Sequence, residues 1–255
     1  MNAATNLSPT STTAAPTALL QLSGVHTHIG AYHILHGVDL TVPRGEVTLL
    51  LGRNGAGKTT TLRTIMGLWQ ASQGRIAFNG QDITRQNTPA IARLNIAYVP
   101  ENMGIFADLS VKENLLLAAR AAAHAGQMDA ARLEWIYGLF PAVQKFWNAP
   151  AGKLSGGQKQ MVAVARAIIE PRDLLIIDEP SKGLAPVIVN NMIDAFAQLK
   201  AQGVSILLVE QNIDFAKRLG DSVAVMDNGR VIHTGRMADL AADEALQQSL
   251  LGLSL

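Results

Sequence analysis

The chain has 255 residues, 48% of them hydrophobic and 16% charged, with a net charge of +1 and no cysteine. That is enough chain for one large domain, or one domain with a subdomain, around a sizeable core. The charge balance gives no reason to expect a nucleic-acid partner, and the missing cysteines rule out disulfides and cysteine-based zinc sites. Apolar stretches such as residues 174–177 fall far short of the roughly 20 residues a bilayer span requires. Residues 1–18 carry no Lys or Arg and no apolar stretch of signal-peptide kind. Their Thr, Ala, Ser and Pro content predicts a disordered lead before one domain over residues 19–255.

The first elements, over residues 19–42, alternate in the manner of antiparallel strands, and residues 75–78 run into an Asn79-Gly80 turn. Residues 47–51 (VTLLL) form an unbroken apolar run, as a strand buried on both faces should. Gly52-Arg53-Asn54-Gly55-Ala56-Gly57-Lys58-Thr59 follows at once, and a helix is predicted over residues 58–66. The spacing G-x-x-x-x-G-K-T between strand and helix is that of a phosphate-binding loop. Its glycines turn backbone N–H groups inward, the helix N-terminus adds partial positive charge, Lys58 reaches the β and γ phosphates, and Thr59 ligates Mg²⁺.

From about residue 86 to 165 strand signals give way, after Tyr98-Val99, to helical ones. Ala-rich helices are predicted over 115–125 and 129–139, the first opened by a Ser110–Glu113 capping box. This reads as a helical subdomain inserted into an α/β core. Residues 174–177 are a second buried strand, ending in Asp178-Glu179. Two acids at a strand's carboxyl end stand where α/β sheets place ligands. Asp178 is suited to holding Mg²⁺ through water, and Glu179 to polarising the attacking water. Residues 206–209 are a third buried strand, and Asp227-Asn228-Gly229-Arg230 is a hairpin turn.

Leu154-Ser155-Gly156-Gly157-Gln158 opens an amphipathic helix carrying Met161, Val162, Val164, Ala165, Ile168 and Ile169. With the phosphate loop before it and the apolar-Asp-Glu strand after it, this segment resembles the signature of ABC transporter ATPases over nearly all of residues 19–236. The resemblance implies a P-loop α/β core with a mixed central sheet, an antiparallel β subdomain and the inserted helical subdomain. It implies ATP and Mg²⁺ as ligands. Gly52, Asn54, Gly55, Ala56, Gly57, Lys58, Thr59 and Thr60 would hold the phosphates, and Tyr32 would stack on adenine. Ser155, Gly156, Gly157 and Gln158 would meet the ATP of a second ATPase subunit, paired head to tail. Thr59, Asp178 and Glu101 would attend the metal, and Glu179 and Gln211 the hydrolysis.

Three departures from the commoner pattern stand together: Glu101 for Gln, Gln211 for His, and Ala185 for Asp in Ser181-Lys182-Gly183-Leu184-Ala185-Pro186. They resemble the second ATPase of branched-chain amino acid importers and of related systems for urea and amides. That implies permease subunits, an extracytoplasmic solute-binding protein and a place on the cytoplasmic face of the inner membrane. Competing readings are an ABC ATPase of soluble function and a nucleotide-dependent regulator with weak turnover. For Gln211 the competing reading is a cap on the helix running through Phe215 to Arg218.

Overall fold

The computed structural model describes residues 18–121 and 128–252. The expected disordered lead, apart from Ala18, and the end of the helix expected over 115–125 lie outside the described residues. In chain order the first half contains β1 (Ala18–Ile29), β2 (Tyr32–Pro43), β3 (Val47–Gly52), α1 (Lys58–Ile65), β4 (Ala71–Phe78), β5 (Gln81–Asp82), α2 (Thr88–Ala92) and β6 (Ile96–Val99). Then come α3 (Val111–Ala121), α4 (Ala130–Leu139), α5 (Pro141–Lys145), α6 (Gly156–Ile168), β7 (Leu174–Asp178), α7 (Pro186–Ala201) and β8 (Ser205–Val209). The chain closes with α8 (Ile213–Leu219), β9 (Ser222–Asp227), β10 (Arg230–Arg236), α9 (Met237–Ala242) and α10 (Glu244–Leu251).

Two sheets result. β2-β1-β4-β5 is wholly antiparallel, and β10-β9-β3-β8-β7-β6 is parallel except for the β9–β10 hairpin. The three apolar runs are its middle strands because both of its faces are covered. Leu49, Leu51, Leu175, Ile177, Ile206 and Leu208 enter the core shared with the helices. Leu50, Leu174, Ile176, Leu207 and Val209 enter the core shared with the antiparallel sheet. Side chains alternate along a strand, so a strand covered on both sides is apolar at every position. Burying each such side chain contributes roughly 1.5–3 kcal/mol.

The inserted helical block begins later than the sequence suggests. β6 is the edge strand of the central sheet, with Tyr98 opposite Ile176, so residues 86–99 belong to the core and the insertion starts after Val99. A four-residue edge strand carries too few alternations to stand out against helical neighbours. Within the block α3, α5 and α6 bury Leu115, Val143 and Val162 together, and the Ser110–Glu113 capping box forms in both directions.

One turn ties the two sheets to the phosphate loop. Asn228 and Gly229 both have positive φ (45° and 72°), the two-residue hairpin geometry expected of Asn-Gly. The Gly229 N–H donates to the Ala56 carbonyl (2.9 Å) and its own carbonyl accepts from the His36 N–H (2.8 Å). A Cβ at 229 would lie 2.0 Å from the Ile34 carbonyl oxygen, so only glycine permits the approach.

Candidate nucleotide site

β3 ends in Gly52, whose φ of 146° and distance to Met226 leave no space for a side chain: a Cβ would stand 2.3 Å from the Met226 carbonyl oxygen. Gly55 and Gly57 continue the turn at φ 81° and 104°. Gly57 precedes α1 with no side chain capping the helix, which leaves the N–H groups of Lys58, Thr59 and Thr60 at an uncapped N-terminus. Lys58 is 5% exposed. Its ammonium donates to the carbonyls of Gly52 (2.8 Å) and Arg53 (3.1 Å) and lies 4.0 Å from the Glu179 carboxylate. Burial lowers its pKa; Glu179 and Asp178 pull the other way.

Asp178 is the last residue of β7 and is 1% exposed, with neither carboxylate oxygen hydrogen-bonded among the described residues. Its pKa is pushed up to about 6, chiefly by burial, against the pull of the Thr59 hydroxyl. A buried carboxylate with both oxygens unpartnered beside a threonine hydroxyl fits a hard divalent cation. No three His, Cys, Asp or Glu side chains converge among the described residues, so the protein offers such an ion a sparse set of ligands. That is the usual case for Mg²⁺ held mainly by phosphates and water. Glu101 does not join the set as expected. Its carboxylate is drawn instead to the ammonium of Lys182, at 2.6 Å.

Glu179 follows with φ 49°, a left-handed conformation that a long side chain rarely adopts. Its N–H donates to the Val209 carbonyl (2.9 Å). The carboxylate accepts from the Gln211 amide and lies 3.3 Å from the Lys182 ammonium. The same Gln211 amide donates to the Asn54 side chain in the phosphate loop (2.8 Å). Gln211 therefore connects the loop to Glu179. It does not cap α8; Asn212 does, accepting from the N–H groups of Asp214 and Phe215.

Two residues that the sequence shows only as parts of motifs stand out in space. Lys182 bridges Glu101 and Glu179. Glu210, 2% exposed, accepts from the N–H groups of Ser181, Gln211 and Asn212. The one sequence signal for Glu210 is a lone acid directly after an unbroken apolar strand.

Tyr32 starts β2 and is 75% exposed, so it is not a core tyrosine. Ser155 caps α6: its hydroxyl accepts from the Gln158 N–H (3.4 Å) and its own N–H donates to the Gln158 side chain (2.9 Å). Ser155 and Gly156 face solvent. Gly157 is buried against α7, where a Cβ would stand 2.9 Å from a side-chain carbon of Ile188, so a larger residue would have to displace that side chain. Among the described residues no hydrogen bond or ion pair links this segment to the phosphate loop.

A family model described as "ABC transporter" matches residues 35–182, more than half of the chain. The chain is 36% identical over 237 residues to the high-affinity branched-chain amino acid transport ATP-binding protein BraG of Pseudomonas aeruginosa, covering 92% of this chain and all of that one. The chain belongs to the ABC transporter ATPases. The cassette is also 34% identical to a probable branched-chain amino acid transport ATP-binding protein, LivF, of Archaeoglobus fulgidus, over 87% of this chain and 93% of that one. Among solved structures it resembles the ADP conformation of an ATP-binding cassette of an ABC transporter, with a TM-score of 0.78, 26% identity and coverage of 91% and 98%. The cassette is thus an ATP-binding and ATP-hydrolysing subunit whose activity is coupled to transport, and the mixed sheet, the antiparallel sheet and the helical block are those of its family.

Proposed function

We propose that this ATPase powers uptake of a small solute, most plainly branched-chain amino acids or a related amino acid, amide or urea. In this reading it works on the cytoplasmic face of the inner membrane with permease subunits, a solute-binding protein and a second ATPase chain. The naming of its relatives BraG and LivF as branched-chain amino acid transport proteins supports the solute class. The helical block from residue 100 onward, together with Glu101, would face the permease.

The observation that carries the catalytic reading is the join of Asn54, Gln211 and Glu179 by one amide group. In turnover Lys58 exchanges the carbonyls of Gly52 and Arg53 for the β and γ phosphates. Glu179 accepts a proton from water as its oxygen bonds to the γ-phosphorus and the bond to the β-phosphate oxygen breaks. Gln211 keeps Glu179 in place through one N–H and, exchanging Asn54 for the γ-phosphate, donates the other to it without carrying charge. Thr59 and Asp178 would hold Mg²⁺, which neutralises phosphate charge when bound. Ser155 and Gly156, exposed at the start of α6, would close over the ATP of the partner chain. Tyr32 would take the adenine. Residues 18–252 act as one ATPase domain with the helical block inserted.

The test is to purify the chain from membranes with whatever it retains and reconstitute it in vesicles. ATPase activity is then followed with leucine, isoleucine, valine, urea and short amides in turn, each with the solute-binding protein. Stimulation by one of these supports the reading. Loss of the chain from the membrane fraction, or turnover indifferent to all five, contradicts it.

A further inference from the structure

Glu210 is a buried carboxylate that neither nucleotide contact nor proton transfer requires. It sits directly after β8, 2% exposed. One oxygen accepts from the Ser181 N–H (2.9 Å); the other accepts from the N–H groups of Gln211 (3.1 Å) and Asn212 (3.2 Å). Ser181 is two residues after Glu179, and Gln211 is the residue that holds the Glu179 side chain. A single side chain therefore fastens the loop after β7 to the loop after β8, 29 positions apart in sequence.

The residue type follows from the geometry. Three N–H groups approach from two directions, and only a carboxylate presents two acceptor oxygens at once; an amide presents one, and a donor toward the other side. Burying the charge is unfavourable, and burial does raise the pKa of Glu210, while the N–H groups pull it back. An apolar residue would leave the three N–H groups unpaired. A buried acid here is a poor way to gain stability and a good way to fix the position of two backbones.

We infer that Glu210 is a positioning residue for ATP hydrolysis, setting the Gln211 amide against Glu179 and Asn54 by gripping the N–H groups of both loops. The inference rests on the proposed roles of Glu179 and Gln211. In the proposed mechanism Glu210 contacts neither ATP nor the attacking water; it acts by setting the Gln211 amide. The effect belongs on the chemical step and not on nucleotide affinity, because the phosphate loop keeps its own backbone.

A double-mutant cycle on the assembled transporter tests this, with turnover counted per nucleotide-binding molecule. Glu210→Gln lowers kcat about ten- to a hundredfold, the scale of one misplaced transition-state contact, with the KM for ATP within about twofold. Glu210→Asp, which keeps both oxygens, recovers part of the loss and serves if the Gln variant folds poorly. Glu210→Gln combined with Gln211→Ala is no slower than Gln211→Ala alone. A purely structural role gives losses that multiply in the double variant, or unchanged kcat per folded molecule, and either result overturns the inference. If Gln211→Ala itself turns over at the wild-type rate, the assignment of Gln211 falls, and the role given to Glu210 falls with it. An impaired Gln211→Ala beside a normal Glu210→Gln removes only the inference.

Discussion

Replacing Asp178 by Asn separates the metal-holding role proposed for this carboxylate from its structural presence. Asp178 is 1% exposed and unpaired, and its carboxyl is held at about 6 instead of the ordinary 3.8. At 1.36 kcal/mol per pH unit, the ionised form weakens the fold by roughly 3 kcal/mol at neutral pH. The folded pKa is raised, so the stabilising contribution is present below pH 3.8 and is lost as pH rises through about 6. Asn has no charge to desolvate, although its amide adds buried donors costing about 1–3 kcal/mol when unpaired. The decisive quantity is thus the pH dependence of the gap between the two proteins. Without nucleotide, Asp178→Asn gains on the wild type by about 1.4 kcal/mol for each pH unit from 4 to 6. In a chain of this size that is roughly 3–6 °C in Tm per pH unit. Mg²⁺ added with ATP should raise the wild-type Tm well beyond ATP with chelator, and should make little difference to the variant. Parallel Tm–pH curves, or an undiminished Mg²⁺ effect in the variant, would refute the assignment.

Two further substitutions probe the rest of the site. Lys58→Ala removes the cation proposed to meet the phosphates and should abolish hydrolysis while leaving the circular dichroism spectrum unchanged; sustained turnover would show that Lys58 does not have this role. Ser155→Arg adds bulk and charge to an exposed helix start and should block ATP-dependent pairing of chains while sparing fluorescent-nucleotide binding by the isolated chain. Pairing that survives the change contradicts the head-to-tail arrangement.

The parts of the fold legible in sequence are those where backbone geometry leaves few options. The glycines at 52, 55 and 57 are dictated by left-handed or crowded positions, and residues 47–51, 174–177 and 206–209 are apolar, Thr48 apart, because both faces are covered. Asn79-Gly80 and Asn228-Gly229 announce their hairpins through positive φ at both residues. The illegible parts depend on long-range approach. A carboxylate after a strand ordinarily reads as a solvated strand end, whereas Glu210 is buried and accepts from the distant Ser181 N–H. Glu101 was expected beside the metal because the family resemblance implies it; the structure pairs it with Lys182, 81 positions on in the chain, which no local pattern announces. Gly157 was read for the phosphate it would meet, while the structure adds the close packing of Ile188 of α7. The left-handed backbone of Glu179 leaves no mark in the sequence at all.

The most direct measurement of the central claim is ATP turnover and bound nucleotide in Glu179→Gln, made on the same purified transporter. If Glu179 accepts the proton from the attacking water, turnover falls about a hundred- to ten-thousandfold, while unhydrolysed ATP stays bound and the chains elute as a closed pair. Hydrolysis at the wild-type rate would contradict the account and place the base elsewhere.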